Sequence, residues 1–406
     1  MGRSKPAEDL IRSAFVALLD RIQEPEDVHL KPQFMARSAL SSGLHARLTV
    51  KRKMVGIPFA PTSTAGVEAG GLGAVERQRK MHFLIDGDRP VGRTAWGALD
   101  DYLPYAFYIE GGALAVENAL KTAFDWKVRK NHMAGKPAGT GKILHFKDCF
   151  HGRSGYTLSL TNTTDPRKTM YFPKFDWPRV TNPYIKFPMN KNDLEEVIKN
   201  EEKSIAEIKS AIKKNPNDIA AIIIEPIQGE GGDNFFRDDF FTSLRNICDE
   251  NNILLIFDEV QTGIGITGKM WAHEHYKACP DIICFAKKTQ VGGILASKRI
   301  DEVEDNVFSE SSRINSTFGG NLVDMTRFKI ILEIIEEENL LSNSKKIGNY
   351  LLKNLLSLQD NYPAYITNAR GLGLWAAFDL PSMTERDDLW SKMMKNKLLI
   401  LSSGDK

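Results

Sequence analysis

Two acids and two lysines stand where apolar runs end. In "LLIFDEVQTGIG", Leu254 to Gly265, an apolar run reads straight into Asp258 and Glu259. A run of that length and composition matches a buried strand, and a carboxylate at its exit is costly unless a cation or hydrogen-bond donor meets it. In "DIICFAKK" a second run ends on Lys287 and Lys288. Burial and neighbouring charge lower a lysine's pKa, which is how enzymes make that amine nucleophilic. The competing reading is two lysines that point to solvent.

Three further strand exits carry residues of the same kind. "AAIIIEP" ends on Glu225 and opens into "IQGEGGD", a glycine turn that carries Glu230. "YAFYIE" leads into Gly111 and Gly112 just before the helical pattern "ALAVENALKTAFDWK". Glycines let an anion approach the backbone, and a helix N-terminus offers free N–H groups and the positive end of its dipole. "KILHF" leads into "KDCFHGRSG", with flat faces at Phe150 and His151 and a rigid guanidinium fork at Arg153.

The elements that must position these residues follow from the alternation of apolar runs with helical patterns from Tyr102 onward. Such alternation predicts an α/β fold with a mostly parallel sheet, and ligands of such sheets collect at the carboxyl ends of the strands. The exits together ask for one ligand with a phosphate, a flat ring, a basic ring nitrogen and an aldehyde. Pyridoxal phosphate has all four.

From about Tyr102 to Leu401 the chain resembles the class III, fold type I, pyridoxal-phosphate-dependent aminotransferases. Within that class it is most similar to the L-lysine 6-aminotransferases. The words that carry the likeness are "EGGALAVENALK", "FHGRSGYTLSLTNT", "FPKFDWPR", "EPIQGEGGD", "FDEVQTGIGITG", "KKTQVGG" and "INSTFGGNLVDM". The resemblance implies that Lys287, 29 residues after Asp258, holds the cofactor as a Schiff base. Lys288 is then a neighbour without a covalent role. It implies that Asp258 pairs with the protonated pyridine nitrogen and that Gln261 reaches the cofactor's phenolic oxygen and the substrate. Gly112 and Ala113 would bind the phosphate, joined across a dimer interface by Ser316 and Thr317. Phe150 would stack on the ring, with His151, Glu225 and Val260 completing the pocket. For substrate, Arg153 would anchor a carboxylate, and Glu230 would accommodate lysine and 2-oxoglutarate in turn. Glu259 is expected to make a structural hydrogen bond.

The implied organisation is a fold type I large domain that binds the cofactor (101–315), then an interface segment and an incomplete smaller α+β domain (316–406). Residues 1–100 form an atypical segment, poorly ordered in part, with an amphipathic helix in "AEDLIRSAFVALLDRI". The implied reaction moves the ε-amino group of L-lysine to 2-oxoglutarate. The alternatives are an ornithine, acetylornithine or 4-aminobutyrate enzyme, or a relative that binds the cofactor without full turnover. That last expectation comes from the first hundred residues, which depart from the family pattern. It comes also from the end at "LLILSSGDK", before the strand whose arginine binds 2-oxoglutarate.

Bulk properties narrow the rest. The chain has 406 residues, 42% hydrophobic and 26% charged, with a net charge of +2. This describes a soluble globular protein and gives no argument for nucleic acid or anionic membrane. The four cysteines form no CxxC pair, so no zinc framework or disulfide scaffold is expected, and a reducing, cytoplasmic setting follows. "HEH" places two histidines on different helix faces, where a metal motif needs i and i+4. "GKPAGTGKI" fails as a phosphate loop because Ile143 follows Lys142 where a metal-binding Ser or Thr is needed.

Overall fold

The computed structural model describes residues 102–404 apart from Ser311 and Lys397. The expectations for residues 1–100 therefore lie outside the described residues. A seven-stranded sheet runs in the order β1-β7-β6-β5-β4-β2-β3. Its strands are β1 (Tyr105–Ile109), β2 (Lys142–Phe146), β3 (Arg179–Val180), β4 (Ile219–Ile224), β5 (Leu254–Asp258), β6 (Ile282–Phe285) and β7 (Gly292–Ala296). β7 pairs antiparallel with both β1 and β6, and the remaining pairs are parallel. The exits of β1, β2, β4, β5 and β6 thus share one edge, as the alternating pattern predicts.

β4 and β5 are buried along their whole length, so their continuous apolar runs match a sheet covered on both faces. On one face Ala221, Ile223, Leu254, Ile256, Ile282 and Cys284 meet helix α1 (Gly111–Met133) through Val116, Ala119, Leu120, Ala123 and Trp126. On the other, Ile222, Ile224, Leu255 and Phe257 meet Phe240, Phe241, Leu244 and Ile247. Those four lie on a later helix, numbered α4 below. The period of two along a strand places Asp258 on the α1 face with Leu254 and Ile256.

The other helices are α2 (Gly155–Leu160), α3 (Lys191–Lys214), α4 (Asp238–Glu250), α5 (Leu322–Glu337), α6 (Leu340–Asn361) and α7 (Met383–Lys395). Among the described residues no helix is long and apolar enough to cross a membrane. α5 buries Met325, Phe328, Leu332 and Ile335 against Tyr108, Ile283, Phe285 and Leu295, and so joins the core of the large sheet. A separate cluster of Leu355, Leu358, Ile366, Ala369 and Met393 builds a small unit. Its members lie on α6, α7 and the hairpin of β8 (Thr367–Leu372) and β9 (Trp375–Asp379) or just before it. Arg370, buried on β8, ties this unit to the large one. Its guanidinium donates to the carbonyls of Gly232 and Asp233 at 2.6 and 2.8 Å and to Asp379 at 2.8 Å.

Candidate active site

The buried acid of β5 has its cation. Asp258 is 4% exposed, and its Oδ2 accepts from His151 Nδ1 at 2.8 Å while Oδ1 accepts from the Val260 N–H at 3.0 Å. Burial alone would hold His151 neutral. The neighbouring Cys149 sulfur and the Asp258 carboxylate more than offset it, raising the imidazole's pKa well above its ordinary value. His151, expected from sequence to offer a flat face, is thus the partner that orients the Asp258 carboxylate. The signal that could have found it was already present: a buried carboxylate must meet a donor or a cation. The far ring nitrogen, Nε2, is buried and has no hydrogen-bond partner among the described residues.

Glu259, one residue on, points to the opposite face. It accepts from Thr262 Oγ1, the N–H groups of Ala272 and His273, and His273 Nδ1, at 2.7–3.0 Å. Four donors satisfy it within the fold, the structural use expected. Glu225, at the exit of β4, braces two loops. It accepts from the Phe150 N–H at 2.9 Å and the Gly229 N–H at 3.2 Å, so it fixes both the Phe150 turn and the base of the Glu230 turn. Burial raises its pKa to about 7, Asp258 adding to the effect and His151 opposing it.

Lys287 follows the end of β6 by two residues, and β6 pairs with β5 so that Cys284 faces Asp258 in register. Lys287 sits at φ +57°. A left-handed backbone costs a non-glycine residue about 1–3 kcal/mol, and such outliers gather where a side chain must be aimed. Its side chain is exposed, so the desolvation expected for it from sequence is not supplied by the described residues. Lys288 turns the other way, donating from Nζ to the Gln261 carbonyl at 2.6 Å and binding the turn after β6 to the turn after β5.

At the start of α1 the first-turn N–H groups carry no side-chain cap, and no acidic residue stands in that turn. Gly112 lies so near Val260 that a Cβ there would come within 2.8 Å of Cγ1. Ala113 is half-buried in the same turn, and Phe150 is half-buried beside His151. Ser316 Oγ donates to the Glu110 carboxylate at 2.7 Å within the same chain, while Thr317 and Arg153 are exposed. Glu230 is held by Lys168, which sequence reasoning passed over. Asp258, His151, Glu225, Val260, Gln261, Gly112, Ala113, Phe150 and Lys287 therefore gather at one sheet edge. An uncapped helix start, a carboxylate with lone pairs to spare, an unpartnered buried ring nitrogen and a reachable amine fit the phosphate, ring and aldehyde the sequence asks for.

Residues 97–406 match the family model described as aminotransferase class-III, and the chain belongs to that family. It is 49% identical over 306 residues to the L-lysine-epsilon aminotransferase of Mycobacterium tuberculosis, covering 75% of this chain and 67% of that protein. It is 46% identical over 294 residues to the protein of the same name from Amycolatopsis lactamdurans, covering 72% of this chain and 65% of the other. The solved structure of lysine aminotransferase from M. tuberculosis superimposes with a TM-score of 0.74 at 44% identity, covering 82% of this chain and 79% of that one. The mostly parallel sheet with helices on both faces is the α/β arrangement of fold type I.

Proposed function

We propose that this chain transfers the ε-amino group of L-lysine to 2-oxoglutarate with pyridoxal 5'-phosphate as cofactor, giving the 6-semialdehyde and glutamate, and that it works as a homodimer. The observation that carries the reading is the joint exit of Asp258 and Lys287 from neighbouring parallel strands. They lie in a chain that over 306 residues is 49% identical to a protein named for this reaction.

When bound, the cofactor supplies a cationic ring that accepts electrons from the substrate carbanion. The start of α1, at Gly112 and Ala113, would receive the phosphate, and Ser316 and Thr317 would reach a phosphate across the dimer interface. Phe150 would cover one side of the ring, and Val260 shapes the slot against Gly112. Asp258, held in place by His151, would face the ring nitrogen as its acceptor. Glu225 holds Phe150 in place, and Gln261 would reach the phenolic oxygen.

Lys287 Nζ would be the amine that holds the cofactor's aldehyde carbon and that the substrate amine competes with for it. The same amine would serve as the base that carries a proton at the reacting carbon, a general acid–base contribution typically worth about 10²–10⁴-fold. Lysine reacts at the end remote from its α-carboxylate, so a remote anchor is needed. The exposed Arg153 fork serves as a bidentate partner for that carboxylate.

Incubation with lysine and 2-oxoglutarate should yield glutamate and the cyclised semialdehyde. Turnover of ornithine or 4-aminobutyrate without lysine would contradict the substrate assignment.

A further inference from the structure

Arg167 and Lys168 stand side by side in sequence, and the fold sends them in opposite directions. Asp165 caps the short turn Pro166–Lys168 and holds the Arg167 guanidinium outward with bonds of 2.8 and 3.0 Å. Lys168 turns inward and donates from Nζ to Glu230 Oε1, 62 residues further along the chain. Both ends of this ion pair are about a third exposed, at 32% and 31%.

The main chain of Glu230 is fixed by other means. Its carbonyl accepts from the Gly404 N–H at 3.1 Å, and Gly229 is held by Glu225. Gly231 passes so near Asp148 that a Cβ there would lie 1.9 Å from the Asp148 carbonyl oxygen. With the backbone held, the carboxylate is the part that can turn. A pair this open to water is held weakly, so a ligand can compete for either partner.

We propose that Lys168 is a specificity-determining residue, the resting counter-ion of Glu230 that sets the balance between a cationic amino donor and a dianionic acceptor. The inference rests on the function proposed above and names a residue that reading does not use. L-Lysine brings an α-ammonium group that must draw Glu230 away from Lys168 to use it. 2-Oxoglutarate brings carboxylates that an unpaired Glu230 repels and a paired one tolerates. Lys168 therefore weakens the donor's hold and strengthens the acceptor's.

Lys168→Met tests this by the sign of two changes. The KM for lysine should fall and the KM for 2-oxoglutarate should rise, each by about two- to fivefold, with kcat little altered. Glutarate, a dicarboxylate that cannot react, should bind the variant more weakly by a similar factor in calorimetry. In a Glu230→Gln background the same substitution should no longer lower the KM for lysine. Movement of both KM values in one direction overturns the proposal. So does a lower Tm with both constants unchanged, or a lysine effect that survives in Glu230→Gln. A wild-type protein that fails to use lysine counts against the proposed function instead, and the glutarate arm still reads Lys168.

Discussion

Asp258 and Glu259 are neighbours in sequence and nearly equally buried, at 4% and 1% exposure, yet they differ in what they can do. Glu259 spends its oxygens on four donors of its own fold. Asp258 meets one imidazole and one N–H and keeps lone pairs toward the α1 side. Glu225 adds a measurable pH dependence. Its carboxyl, ordinarily near 4.5, is raised by burial to about 7 in the fold. Between those values the folded chain holds a proton that the unfolded chain has lost. The contribution is therefore fully present below about pH 4.5 and is lost as pH rises through about 7. Its ceiling is roughly 3 kcal/mol. Denaturant titrations at several pH values across that window should show Glu225→Gln flattening the dependence relative to the parent chain. Identical slopes in the two proteins would remove Glu225 from the account.

At the scale of elements, the strands that sequence reveals are the ones whose burial leaves no choice of residue. β4 and β5 read as strands because every position is covered. α1 reads as a helix because its apolar stripe must cover that sheet. β7, "GGILA", escaped the same reading because two of its five residues are glycine. The structure gives the reason, since a Cβ on Gly292 would lie 2.3 Å from the Gly111 carbonyl oxygen and one on Gly293 2.4 Å from the Phe285 ring. β7 lies against the start of α1, and its composition reflects that approach rather than strand propensity. That Asp258 needs a cation was legible, but which residue supplies it was not, since 107 residues separate it from His151. α5, read as the start of a second unit, packs its apolar face on β6 and β7. Gly292→Ala should push the β7 and α1 backbones apart, costing about 1–3 kcal/mol in Tm or denaturant midpoint and loosening cofactor retention. Unchanged stability and retention would show that the close approach is dispensable.

For the molecule as a whole, the turn before α5 and its first residues carry Phe318, Leu322 and Val323 at 69%, 68% and 74% exposure. This apolar strip adjoins Ser316 and Thr317, the residues assigned above to a partner's phosphate. A dimer that covers the strip explains both features. Val323→Asp places a charge where a lone chain would tolerate it and an interface would not. Size-exclusion chromatography with light scattering should show a dimer for the parent chain and a monomer with poor cofactor retention for the variant. A parent chain that is monomeric yet fully active would end the dimer proposal.

The central claim, that Asp258 and Lys287 hold one pyridoxal phosphate between them, is tested most directly by the visible absorption spectrum of the purified protein with that cofactor added. A visible band from cofactor linked to the protein is expected, absent in Lys287→Ala and altered when lysine is added to the parent chain. A parent spectrum that remains that of free cofactor, or a band that persists unchanged in Lys287→Ala, would contradict it.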